Sequence, residues 1–175
     1  MKLLIICQAV DKNHQNLASF VRWIQEFATQ YAEVFVVANE VGEYTLPTNV
    51  HVYSLGKESH VGRVGRYLRF VSVMHRLYGR YTQVFCHMNP EFVIASAPWT
   101  LGTRVGLWYT HGTVSWRLKL ALSLVDVVFT ASRESFRLNS PKVHIMGHGI
   151  DTAFFSPDPT VQRGTHALSV GRLMK

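Results

Sequence analysis

The chain has 175 residues, enough to bury one substantial core, and its 47% hydrophobic and 17% charged residues exclude a disordered or fibrous polymer. Lys and Arg number 18 against 11 Asp and Glu, a formal net charge of +7 that favours an anionic partner: a membrane surface, a phosphorylated substrate or nucleic acid. The opening apolar run stops at Cys7, too short for an export signal, and no apolar stretch is long enough to span a bilayer.

Leu3 to Cys7 is continuously apolar and predicts a strand covered on both faces. Asn16 to Tyr31 spaces Leu17, Phe20, Val21, Ile24, Phe27, Ala28 and Tyr31 as one face of a helix. Val34 to Ala38 predicts a second buried strand, and Val50 to Leu55 a third, nearer an edge because its polarity is mixed. Val61 to Tyr81 predicts a helix whose apolar face is Val64, Tyr67, Leu68, Phe70, Val71, Met74, Leu77 and Tyr78. Val84 to Cys86 predicts a strand, Pro90 opens a helix, Val105 to Tyr109 predicts a strand and Ser115 to Leu124 a helix. Val127 to Ala131 and Val143 to Met146 complete the strands, and Cys7 and Cys86 read as reduced core thiols. This alternation predicts an α/β fold: a doubly wound, mostly parallel, Rossmann-like sheet with helices on both faces.

Ligands of such sheets sit beyond the carboxyl ends of the strands, which selects the loops to read. Asp11, Lys12 and Asn13 follow the first strand, as polar groups suited to a hydroxylated ligand or as an ordinary turn capped by Asn13 or Asn16. His87 and Asn89 follow the fourth strand, either to bond a sugar or phosphate or, for Asn89, to cap the helix begun by Pro90. His111 and Gly112 follow the fifth, the glycine admitting close backbone approach. Ser132 reads as the cap of a further helix, and Gly149 and Asp151 end the last strand. A G-x-G-x-x-G fingerprint is absent, which disfavours NAD, and no acidic cluster suggests a metal.

The Val61 to Tyr81 helix carries Arg63, Arg66, Arg69, Arg76 and Arg80 without an acid. At helical spacing Arg66, Arg69, Arg76 and Arg80 form one stripe, expected opposite the apolar face. The alternatives are a solvated charged face and a contact with an anionic membrane surface. Few aromatics interleave with the charges, which argues against nucleic acid. After Asp151 the texture becomes proline-punctuated and polar, predicting a first domain over 1–155, a linker over 156–166, and over 167–175 the first strand of a truncated second domain.

Val128-Phe129-Thr130-Ala131-Ser132, then Lys142 to Asp151 with Phe155 and Pro157, then Ser169-Val170-Gly171-Arg172-Leu173, resemble the family-4 class of retaining GT-B glycosyltransferases. Val10-Asp11-Lys12-Asn13 and Trp108-Tyr109-Thr110-His111-Gly112 resemble one bacterial branch of it. The resemblance implies the N-terminal, acceptor-side half of a two-domain enzyme, cytoplasmic and peripheral on the inner face of the cell membrane. Such an enzyme moves a sugar from a nucleotide-sugar co-substrate to a glycan or lipid-linked acceptor, without metal or other cofactor. It implies that His111 faces the donor sugar and phosphates, that Gly149 and Asp151 join the domains at the cleft, and that Arg172 neutralises the leaving diphosphate. Many members have glycines where this chain has Asp11, Lys12 and Asn13. The competing readings are a non-enzymatic basic αβ module on an anionic membrane, and a sugar-nucleotide epimerase of similar build.

Overall fold

The computed structural model describes residues 1–149, together with Thr152, Ser156, Pro157, Pro159, Thr160 and Gly164. Asp151, Arg172 and the segment expected to open a second domain lie outside the described residues.

The chain runs β1 (Lys2–Val10), α1 (Phe20–Gln30), β2 (Glu33–Val41), β3 (Val50–Ser54), α2 (Arg63–Leu77), β4 (Gln83–His87) and α3 (Pro90–Thr100). It continues through β5 (Arg104–Trp108), α4 (Trp116–Leu124), β6 (Val127–Thr130) and β7 (Val143–Ile145). The strands form one seven-stranded sheet in the order β3-β2-β1-β4-β5-β6-β7, parallel throughout. The order reverses direction between β1 and β4, so the loops that leave these two strands diverge and open a crevice at the sheet's carboxyl edge.

Side-chain alternation along the strands sorts the apolar residues into two cores. Leu4, Ile6, Phe35, Val37, Val84 and Cys86 point to one face, where Phe70, Met74 and Leu77 of α2, Val93 of α3 and Leu118 of α4 cover them. Leu3, Ile5, Cys7, Val34, Val36 and Phe85 point to the other, beneath Phe20, Val21 and Ile24 of α1. Full burial of each such side chain stabilises the fold by about 1.5–3 kcal/mol, which is why the central strands are almost wholly aliphatic. β3 is an edge strand with half-buried residues, as its mixed polarity predicts. Cys7 and Cys86 are buried and free, and burial pushes the Cys86 thiol up to about 12, so both sit in the core as inert thiols.

The helices cover the two faces unequally. α2, α3 and α4 share one face, while α1 is the one described helix on the other. Beside α1 an open groove of about 760 Å³ runs over the sheet, walled by Trp23, Phe27, Phe85, Trp108 and Phe129. It runs from Arg104 and Asp126 at the strands' amino ends to Met146, just past the end of β7.

Several boundaries differ from expectation for local reasons. α1 begins at Phe20, not Asn16, because the His14 imidazole accepts the amide hydrogens of Asn16 and Leu17 and holds the preceding residues in turns. α2 ends at Leu77, not Tyr81, since Gly79 takes a left-handed φ of +76°. Among the described residues no helix follows Ser132. Its hydroxyl accepts the Ser135 amide at 3.2 Å and closes an isolated turn instead.

Candidate functional site

The loops after β1, β4, β5, β6 and β7 emerge at one edge because all seven strands are parallel. β1 extends through Val10, so its loop begins at Asp11. The Asp11 carboxylate accepts the Asn13 amide at 2.9 Å and fills the space beside Gly42. Lys12 pairs with Glu43 at 3.1 Å, and Asn13 donates to the same carboxylate at 3.2 Å. The hydrogen bond from Lys12 and its charge hold the Glu43 carboxyl below its ordinary range. The three predicted polar residues are therefore bound to one another and to the end of β2. They form a stiff, largely exposed rim.

Across the switch point, Asn89 donates to Gln8 Oε1 at 3.3 Å and makes no side-chain cap to α3. The capping alternative for Asn89 is replaced by a bridge from the β4 loop to the carboxyl-terminal part of β1. Met88, between His87 and Asn89, has a φ of +68°, a left-handed conformation rare for a residue with a long side chain. Its amide is held by Trp108 O at 2.7 Å, and Thr110 Oγ1 lies 3.3 Å from its sulfur. His87 is still within β4 and, two residues after Phe85, points to the face that α1 covers: its ring stacks on Phe20 at 3.9 Å, with Trp23 edge-on at 5.9 Å. His87 is thus a core residue and not part of the open rim. Burial holds its pKa down to about 4, so it is neutral at physiological pH.

His111 is solvent-exposed at the end of the β5 loop, edge-on to Tyr109 at 5.7 Å. The loop is anchored: Tyr109 donates its hydroxyl hydrogen to Thr113 O at 2.8 Å, and the Gly112 amide donates to Ser135 O at 2.8 Å. Gly112 has a φ of +65°, and a Cβ there would lie 2.7 Å from Glu134 O. The close approach that this glycine permits is to the β6 loop, not to an open ligand position. The Arg137 guanidinium lies beside it, its Nε 3.7 Å from where that Cβ would stand. Gly149 is exposed, with nothing near its Cα hydrogens.

The arginines of α2, with Arg80 just beyond its end, do not form a free stripe. Arg66 donates to Asn39 Oδ1 at 2.7 Å, Arg69 packs against Gly56, Arg76 lies over the Tyr53 ring at 5.8 Å and Arg80 over Phe35 at 5.0 Å. All four lean over the β2–β3 edge of the sheet.

Gln8, Glu43 and Arg137 are the residues that motif reading leaves out. Gln8 lies two places before the end of β1 and Glu43 two places after the end of β2, so both carry the strand-end signal. Arg137 carries none, because tertiary folding alone brings it to His111's loop.

No family model matches the chain, and no curated protein sequence matches it significantly. Solved structures do match in shape. A Methanocaldococcus jannaschii UDP-GlcNAc 2-epimerase, in complex with UDP-GlcNAc and UDP, superposes with a TM-score of 0.54 at 14% identity, over 83% of this chain and 46% of that one. The lipopolysaccharide outer core galactosyltransferase WaaB matches with a TM-score of 0.54 at 11% identity, over 86% and 46%. MurG of Acinetobacter baumannii matches with a TM-score of 0.54 at 13% identity, over 83% and 45%. The fold is that of a GT-B half-domain. The chain spans less than half the length of each of these proteins, and at such identities the likeness is one of fold.

Proposed function

We propose that this chain is the acceptor-side lobe of a glycosyltransferase that moves a sugar from a nucleotide-sugar to a glycan or lipid-linked acceptor, with retention and without a metal. The observation that carries the reading is the gathering of the β1, β4, β5 and β6 loops on one edge of a half-domain fold that a galactosyltransferase shares. The rim offers amides, a carboxylate and an ammonium group from Asn13, Asn89, Asp11 and Lys12, suited to a polyhydroxylated acceptor. Breaking a glycosyl–phosphate bond leaves positive charge on the sugar and negative charge on the diphosphate, and exposed Arg137 brings a cation beside the His111 loop. His111 would face the donor, with Gly149, Asp151 and Arg172 toward the opposing lobe. Asp11, Lys12, Asn13 and Asn89 would shape the acceptor side.

The epimerase reading stands second, favoured by the equal superposition of the archaeal UDP-GlcNAc 2-epimerase. One experiment separates them. Protein expressed from its complete gene is incubated with labelled nucleotide-sugars, with and without a glycolipid extract. Label moving into the extract, with turnover lowered roughly 100-fold by His111→Ala, supports transfer. Acceptor-independent conversion of the nucleotide-sugar to its epimer overturns it.

A further inference from the structure

β3 is the last strand on one side of the sheet, and it pairs with β2 in unbroken parallel register from Val50 to Ser54. Val34 donates its amide hydrogen to Asn49 O and Leu55 donates to Ala38 O, each at 2.9 Å. Alternate residues of such a ladder turn both backbone groups to the same side, so the backbone of His51 and Tyr53 also faces β2. The N–H and C=O of Val52 and the N–H of Ser54 then point away from the sheet, and among the described residues no other group bonds them. Edge strands are usually blunted by Lys, Pro or a bulge, and β3 carries none of these.

The two faces of this edge differ. On the α1 side, Val50 and Val52 are half-buried against the core beneath that helix. On the α2 side, Tyr53 lies under Arg76 at 5.8 Å, and His51 stacks on Phe35, whose ring lies under Arg80 at 5.0 Å. Arg69 follows against Gly56, so three cations succeed one another along β3 as α2 runs back beside it. All three are exposed, and among the described residues no carboxylate forms an ion pair with them. The nearby acids are held elsewhere: Glu33 by Lys2, Glu40 by Lys57, and Glu58 by the Ser54 hydroxyl and the Val41 amide.

A strand added beside β3 would lie about 4.8 Å from it. Its side chains on the α2 face come within reach of Arg76 and Arg80, and those on the α1 face come beside Val50 and Val52. Charge complementarity asks for acids at alternate positions with aliphatic residues between them. A second copy of this chain fails that requirement, since β3 brings His51 and no acid, and two paired edges would set arginine against arginine. A polyanion without amides would use the charges and leave the outward backbone groups unmet. We infer that the β3 edge is a docking site for an extended acidic peptide, in which Asp or Glu alternates with aliphatic residues and which pairs as a further strand. The site lies at the side of the sheet, away from the loops of β4, β5 and β6, so the inference stands apart from the sugar-transfer reading.

The test is fluorescence anisotropy of a labelled peptide of about six residues, alternating Glu and Val, titrated with the 175-residue chain. Binding is expected, weakening as salt rises, and weaker by roughly tenfold or more for a peptide of the same composition with its Glu residues in one block. Val52→Pro removes an outward amide hydrogen and leaves the β2 ladder whole, whereas Arg76→Gln with Arg80→Gln removes the charge. Each lowers affinity roughly tenfold, and Arg117→Gln on α4 leaves it within about twofold. Far-UV circular dichroism checks each fold. Two peptides methylated on alternate amide nitrogens, in opposite phase, repeat the Val52→Pro measurement with the protein untouched, and only the phase that faces β3 should lose binding. No binding, equal binding of the block peptide, or equal affinity for the two methylated peptides overturns the inference. So does loss with the arginine pair but not with a folded Val52→Pro, since the edge would then be a charged patch open to any polyanion, lipid or nucleic acid. A dimer in sedimentation velocity that Val52→Pro dissociates overturns it as well, because a second copy would hold the edge.

Discussion

The imidazole of His87 lies flat against Phe20, with Trp23 closing one side and its Nδ1 lacking a hydrogen-bond partner. Charging it there forfeits hydration without gaining a counter-ion, which is why burial holds its pKa to about 4. An unfolded histidine titrates near 6.5. The folded state therefore binds fewer protons than the unfolded state between these values, and stability must fall as pH falls through that window. The contribution is complete above about pH 6.5, and the loss from this group reaches about 2 kcal/mol at pH 5. Urea unfolding at pH 7 and pH 5 measures it. His87→Phe, which keeps a stacked ring without a titrating nitrogen, should remove about that much of the pH dependence. An unchanged slope would place the acid sensitivity elsewhere.

Two helix starts show what sequence spacing decides and what it does not. Ser115 and Asn89 each precede a helix and each is a good capping residue by type. Ser115 caps, its hydroxyl accepting the Leu118 amide at 3.1 Å; Asn89 is drawn across the crevice to Gln8. Ser115→Ala should thus cost about 1 kcal/mol in thermal or chemical unfolding, and Asn89→Ala clearly less, about 0.5 kcal/mol or below. Equal costs would mean that the Asn89 bridge contributes as much as a cap. The same contrast sets the limit of legibility. The apolar runs of β1, β2 and β5 and the edge character of β3 were readable, because burial on two faces demands uninterrupted aliphatics. The arginine stripe of α2 was readable as a stripe. Its direction was not, since a helical wheel fixes angles about one axis and carries no record of which neighbour lies on which side. His87 failed for a related reason: its place at a strand end was right, but that the face it shares with Phe85 is still covered there, by Phe20 and Trp23 of α1, depends on how α1 lies across the sheet and leaves no mark in composition.

At the scale of the whole molecule, the gathered loops form one wall. Asp11, Lys12, Asn13, His111 and Gly149 are all at least partly open to solvent at the carboxyl edge. Transfer of a glycosyl group needs water kept from the positively charged sugar and cations on the leaving diphosphate, and these demand a second surface closing on the first. One wall can orient an acceptor and cannot exclude solvent. The 175-residue chain by itself should then turn over nucleotide-sugars at less than about one-thousandth of the rate of protein made from the complete gene. It should still bind acceptor-like glycans weakly, with saturation-transfer signals from the sugar that His111→Ala leaves in place and Asn89→Ala diminishes. Mass spectrometry of products and the same chain's NMR spectra measure the two halves of this expectation separately. Efficient turnover by the lone chain would show that its rim is complete, and the need for an opposing lobe would fall with it.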